Sequence, residues 1–328
     1  MGAFGKYLLT ILTTKKVAFP FTIVLIIFPV IISDAYIIHL LILSLMYAAL
    51  SLGWNYICGY AGIFSFGHQG FFGLGAYVSA LLAMKAGVSP WFGLLLGGIS
   101  AGAISLVIGF PCLRLRAAPY VALTTLGFSE ILRIICMNLG GLTRGESGLW
   151  GIPTLPDVAL GPFIISFAGG SRIPYYYVML IIFFITAIIL YWQIHSSTGL
   201  ALRAIRESQD AAESLGVHIT RYKLLTFLIS SFFAGVVGAF YGHYINILTP
   251  TSIFNLSIMF EILAIVIIGG MGTFSGPIVG AFILTIGLEY LRAFGEYRLM
   301  IYGVLIMIMI LFASEGIIRK IIPKSARV

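Results

Sequence analysis

This sequence has little charge. Only 9% of its 328 residues are Asp, Glu, Lys or Arg, while 60% are hydrophobic; a soluble domain carries about 25% charged residues. That shortage excludes a water-soluble globular domain. Cysteine is scarce as well. Cys58, Cys112 and Cys136 are odd in number, lie in or beside apolar segments and have no metal-like spacing, so they read as small buried hydrophobes rather than a disulfide or metal framework. The five histidines, at 39, 68, 195, 218 and 243, are scattered. No metal site is expected, and no nucleophile–base pair supports an intramembrane enzyme. The chain also lacks GxxxxGKS/T or any other nucleotide fingerprint, so it is expected to bind no cofactor and to hydrolyse no ATP itself. The net charge of +8 is not a nucleic-acid footprint, because the basic residues are spread over connections between apolar runs.

What is present is a series of about ten continuous apolar runs. Their approximate limits are 17–33, 37–57, 64–84, 91–110, 119–138, 175–193, 224–246, 258–270, 277–293 and 299–313. Continuous rather than alternating runs exclude a β-barrel. The expected fold is an all-α polytopic membrane protein of about ten transmembrane segments, some broken or re-entrant, forming a single membrane domain over 1–328. The run after Lys15-Lys16 ends in no small-residue cleavage site, so it is expected to be a first span and not a signal peptide. With the N-terminus in the cytoplasm, 13 of the 19 basic residues fall on cytoplasmic pieces, in keeping with the positive-inside rule and two cytoplasmic termini. Residues 139–174 then face outside, as an irregular loop with a short helix, and 194–223 face the cytoplasm. Ten spans would allow two inverted five-span halves, although no sequence repeat is visible.

Three stretches stand out. The first is Glu261–Arg298, whose apolar character is interrupted by Gly269-Gly270-Met271-Gly272-Thr273-Phe274-Ser275-Gly276-Pro277. Neither flank reaches the roughly 20 residues of an ordinary span, and broken backbone in a membrane is tolerated only in protein or beside a watery cavity. The second is Gly59–Tyr77, GYAGIFSFGHQGFFGLGAY, a glycine-rich segment carrying Ser65, His68 and Gln69. Two readings stand for both stretches: close helix packing, or a translocation path or gate lined by Ser65, His68, Gln69, Gly269, Gly270, Gly272, Thr273 and Ser275.

The third is the connection GLALRAIRESQDAAESLGVHITRYK, 199–223. Ser208 suits a helix cap, Asp210 the first turn and Gly216 the left-handed stop, predicting a two-turn helix Gln209–Leu215. Ala211, Ala212 and Leu215 are expected on one small apolar face, rimmed by Arg203, Arg206, Glu207, Asp210 and Glu213. It reads either as an amphipathic connector or as a docking element for a cytoplasmic subunit. Charges within the spans add a further set. Glu130 and Arg133, and Glu289 and Arg292, are three apart and can neutralise locally. Glu261 has no neighbour of that kind and is expected to pair with Arg292, Arg298 or another subunit. Structural neutralisation, a gate network and contacts to a zwitterionic substrate all fit these residues.

These elements resemble a known family. The series LRAIRE–DAAESLG–RYKLLTF–AGVVGAFYG (Leu202–Gly242), the Gly59–Tyr77 stretch and Gly269-Gly270-Met271-Gly272 followed by Glu289–Arg298 are similar in order and spacing to branched-chain amino acid ABC importer permeases, specifically the LivM type. The resemblance implies ABC importer permease architecture in a bacterial inner membrane, with Arg203–Gly216 as the loop coupled to the ATPases. It further implies a second related permease chain, two ATP-binding subunits that use ATP and Mg, a soluble substrate-binding protein and surrounding lipid. Related permeases for urea and short amides share the pattern, and a stand-alone secondary carrier is the competing class.

Overall fold

Inside a membrane an apolar chain satisfies its backbone by forming helices, and helices make up most of this computed structural model. It describes residues 22–29, 31, 32, 34–112, 118–160, 163–167, 169–290, 297, 300, 303, 304 and 307. Helix α1, Ala35–Asn55, starts at Asp34, whose carboxylate accepts from the Tyr36 and Ile37 amides at 2.8 and 3.1 Å, and runs into a π-helical turn, Tyr56–Tyr60. Then follow α2 (His68–Ala86), α3 (Pro90–Cys112) and α4 (Ala118–Asn138). After the connection 139–172 come α5 (Ile173–His195), α6 (Ser197–Glu207), α7 (Gln209–Ser214) and α8 (Ile219–Ile245). A single turn, Pro250–Ile253, leads into α9 (Leu256–Gly269), and α10 is Ser275–Tyr290.

Among the described residues, six helical stretches are long and apolar enough to cross a membrane: Ala35–Tyr60, Pro90–Cys112, Pro119–Asn138, Ile173–His195, Ile219–Ile245 and Pro250–Gly269. The expected segments 64–84 and 277–293 are also helical, as α2 and the 16-residue α10. Of the expected first segment only 22–29, 31 and 32 are described, and the tenth, 299–313, lies almost wholly outside the described residues. Helix α8 begins at Ile219, well before the expected 224, because Ile219-Thr220-Arg221-Tyr222-Lys223 continues the helix beyond the strictly apolar run.

The centre is a junction of α2, α3 and α8 made by glycine. A Cβ added to Gly235 of α8 would lie 2.6 Å from both Ala101 Cβ and the Gly97 carbonyl oxygen of α3, and one added to Gly97 would lie 2.8 Å from the Gly75 carbonyl oxygen of α2. A Cβ on Gly75 would overlap the backbone of Gly235, and one on Gly238 the carbonyl of Phe72. Small residues thus bring three backbones into direct contact. Helix α1 packs against α5, α8, α9 and α10.

The connection 139–174 is more ordered than its composition predicts. Strand β1 (Leu149–Trp150) pairs antiparallel with β4 (Ile247–Leu248), just beyond α8, and β2 (Val158–Leu160) pairs with β3 (Phe163–Ile165). These strands are two or three residues long, too short to leave an alternating pattern. A buried histidine fastens the connection. His243 of α8 accepts from or donates to Ser79 Oγ of α2 at 2.8 Å through Nε2, while Nδ1 lies 2.7 Å from the Pro153 carbonyl oxygen. A carbonyl only accepts, so Nδ1 carries the proton and Ser79 donates to Nε2. Asn246 Nδ2 donates to the Ile152 oxygen at 2.8 Å.

Candidate functional site

At the end of α1 opposite this connection, the three stretches singled out in the sequence meet. The π turn exposes the Gly59 carbonyl, because wider winding displaces regular i to i−4 bonding, and Arg206 Nη1 of α6 donates to that oxygen. Asn55, fully buried at the last position of α1, bridges to the break between α9 and α10. Its Nδ2 donates to the Thr273 oxygen at 2.9 Å, and its Oδ1 accepts from the Gly272 amide at 2.8 Å. Gly272 sits at φ +76°, and a Cβ there would be 3.0 Å from Arg206 Nη1 and 3.2 Å from the Gly59 oxygen. The Arg203 guanidinium carbon lies 5.9 Å from the centre of the Tyr60 ring, at cation–π distance. Sequence reasoning missed Asn55. The only signal was an amide at the end of an apolar run just before a glycine-rich turn.

Helix α7 is built as its sequence predicts. Ser208 Oγ accepts from the Ala211 amide at 3.3 Å, and Gly216 closes the helix at φ +81°. Its faces differ from the expected pattern. Ala212 is buried against its own chain, whereas Leu215 is 81% exposed and Ala211 is also exposed. At about 100° per residue the three fall within one arc of about 100°, with Leu215 between the two alanines, yet only Ala211 and Leu215 are exposed. The three residues therefore present no single exposed apolar patch. The outward surface is Ala211 and Leu215 with exposed Glu207, Asp210 and Glu213.

Ser65, His68 and Gln69 are fully buried. The Ser65 carbonyl accepts from Trp54 Nε1 at 2.7 Å, and its hydroxyl oxygen lies 3.4 Å from the Gly67 amide. Both His68 nitrogens and both Gln69 amide atoms lack hydrogen-bond partners. His68 starts α2 beside Gly53 of α1 and Ser230 of α8. In the break, Thr273 Oγ1 donates to the Gly270 oxygen at 2.7 Å and accepts from the Gly276 amide at 3.2 Å, and Ser275 opens α10. Gly269 is a packing position, since a Cβ there would overlap the Gly276 carbonyl. Two cavities, of about 280 and 320 Å³, are lined by other residues.

Glu130 and Arg133 form the expected pair on α4, with Arg133 Nε 2.9 and 3.0 Å from the two carboxylate oxygens. Glu289 accepts from Tyr36 Oη of α1. Its expected partner Arg292 lies outside the described residues, as does Arg298. Glu261 is half-buried on α9, near Tyr241 of α8. Among the described residues no group of three His, Cys, Asp or Glu could hold a metal ion.

The family model described as branched-chain amino acid transport system / permease component matches residues 36–313, a range that takes in the whole junction. The chain belongs to that family. This permease is 32% identical over 298 residues to the high-affinity branched-chain amino acid transport system permease protein LivM of Escherichia coli K12, a match covering 86% of this chain and 70% of the relative. It is 24% identical over 291 residues to LivH, another permease protein of the high-affinity system in the same organism, with 84% and 91% covered. A nucleoside ABC transporter permease, NupC of Lactococcus lactis, is 26% identical over 198 residues, covering 56% of this chain and 60% of the relative. No solved structure matches significantly.

Proposed function

We propose that this permease is the LivM-type subunit of an ATP-driven importer of branched-chain and other hydrophobic amino acids. It pairs with a LivH-like permease chain, and the two share the translocation path. Two ATP-binding subunits engage the α6–α7 surface from the cytoplasm, and a soluble substrate-binding protein meets the connection 139–174. The assembly sits in a bacterial inner membrane, with ten crossings in this chain and both termini cytoplasmic.

The observation that carries this reading is the Arg206–Gly59–Asn55–Gly272 junction. A push or pull on α6 and α7 reaches both breaks at once, through one guanidinium and one amide. Such a linkage suits a motor bound to the α6–α7 surface. A stand-alone carrier gains nothing from tying an exposed cytoplasmic helix to two breaks in its spans. Ser65, His68 and Gln69, with four unpartnered buried polar atoms at 68 and 69, become wetted when those breaks move, since unpaired buried polar groups favour a state that solvates them.

The test is reconstitution. The complex purified through this chain should retain ATP-binding subunits, and leucine uptake into proteoliposomes should require both ATP and the binding protein. Leucine uptake by this chain alone, driven by an ion gradient, would instead establish the carrier.

A further inference from the structure

The six apolar spans are not equally covered by their own chain. In α4 only 17% of the most apolar stretch is buried, against 44–67% in the other five. One side of α4 is accounted for. Val121, Thr125 and Ser129 are buried, and Cβ atoms on Gly67 and Gly70 of the α2 segment would press on Thr125 and Ser129. The other side is a stripe at helical spacing, Tyr120, Leu123, Thr124, Gly127, Ile131 and Ile134, running the length of the span. At Gly127 an added Cβ would meet nothing within 4 Å, so a notch opens in the middle of the stripe.

The flank of this stripe carries the Glu130–Arg133 pair, with side chains 43% and 29% exposed. The outward face of α3, by contrast, carries the large exposed apolar side chains Phe92, Ile99 and Val107. Lipid suits that face. It suits α4 poorly, because ionised side chains in hydrocarbon are expensive and normally face protein or water. A hydroxyl and an open glycine in the same stripe are also what close helix–helix contact in a membrane uses.

We propose that this face of α4 is the seat of the second permease chain, with the Glu130–Arg133 pair enclosed at the rim of the interface. The inference rests on the paired-permease reading above. Only a membrane-embedded chain can cover a face that runs the full span, which rules out the soluble ATPases and binding protein as its occupant. A LivH-like chain is favoured over a second copy because the relatives of this chain include two different permease proteins of one system in one organism.

Single cysteines at Leu123→Cys and Ile131→Cys, and at Val107→Cys as a lipid-facing control, are labelled with a benzophenone maleimide in the assembled complex and irradiated. The unsubstituted chain, labelled in the same way, gives the background from its own cysteines. The expected result is an adduct of this chain with the second permease at 123 and 131, and none at 107. Adducts with lipid only at 123 and 131, adducts with a second copy of this chain, or a permease adduct at 107 in their place would each overturn the inference. A complex that purifies without any second permease chain would instead overturn the reading beneath it, and is recognised before irradiation by its subunit composition.

Discussion

Adding one methyl group at Gly272 should loosen the junction by way of Arg206. Two effects contribute to Gly272→Ala. The backbone stays at φ +76°, which costs an L-residue about 1 kcal/mol. The new Cβ also lies 3.0 Å from Arg206 Nη1 and 3.2 Å from the Gly59 oxygen. The Gly59 carbonyl is backbone and holds its place, whereas the guanidinium is the end of a flexible side chain and gives way. A net charge-assisted hydrogen bond contributes about 1.5–3 kcal/mol, and the exposure of Arg206 selects the low end. The sum is about 2.5 kcal/mol, or roughly a seventy-fold weaker closed junction at 1.36 kcal/mol per decade. Hydrogen exchange at the Gly272 amide, which donates to Asn55 Oδ1, reads that opening directly. Arg206→Met alone should weaken protection by about 1.5 kcal/mol, the bond itself. In the Arg206→Met background, Gly272→Ala should cost only the backbone part, about 1 kcal/mol. The two changes are therefore non-additive by about 1.5 kcal/mol. Strict additivity would refute the claim that the methyl group acts through the guanidinium. ATP-driven leucine uptake by the Gly272→Ala complex should fall while its ATP hydrolysis persists.

Ala212 of α7 and Leu215 at its end should separate by assay. Leu215→Asp, at an exposed position, should leave the melting temperature of the isolated permease unchanged but weaken retention of the ATP-binding subunits, whereas Ala212→Leu should destabilise the permease itself by about 1–3 kcal/mol through overpacking. His243→Phe removes the acceptor for Ser79 and the donor to Pro153 and leaves Ser79 unpaired, so it should cost about 2–4 kcal/mol and make the 139–174 connection an early site of limited proteolysis. An unchanged cleavage pattern would show that the short β pairings hold the connection without the histidine.

The parts readable from sequence were those with strong local chemistry. Hydropathy alone locates the spans that are fully apolar. Ser208 and Gly216 mark the ends of α7 because a cap and a left-handed stop each demand particular residues. The breaks at Gly59 and Gly269–Gly276 are visible as glycine inside hydrophobic runs. Their meeting is not visible, since Asn55 and Gly272 are 217 residues apart and a single amide leaves no periodic signal. The inward turn of Ala212 escaped for a related reason: on a helix of six residues the partner surface, and not the helix pattern, decides which side is buried. The partnership of Glu289 with Tyr36 was hidden because an acid–phenol bond across the fold cannot compete, in a sequence, with a basic residue three positions away.

The glycine junction also dictates how this molecule can deform. Helices slide past one another by letting the side chains between them change rotamer, and at Gly75, Gly97, Gly235 and Gly238 main chain of α2, α3 and α8 meets main chain with no rotatable side chain between. Those three helices form a keel that moves as one piece. Helices α9 and α10 are locked together in the same way, where Cβ atoms on Gly269 and Gly280 would overlap the carbonyls of Gly276 and Ile265. Two rigid blocks joined across α1 leave rotation about the junction as the available stroke, so the swing of the α9–α10 block is set by how far α6 can lever Arg206.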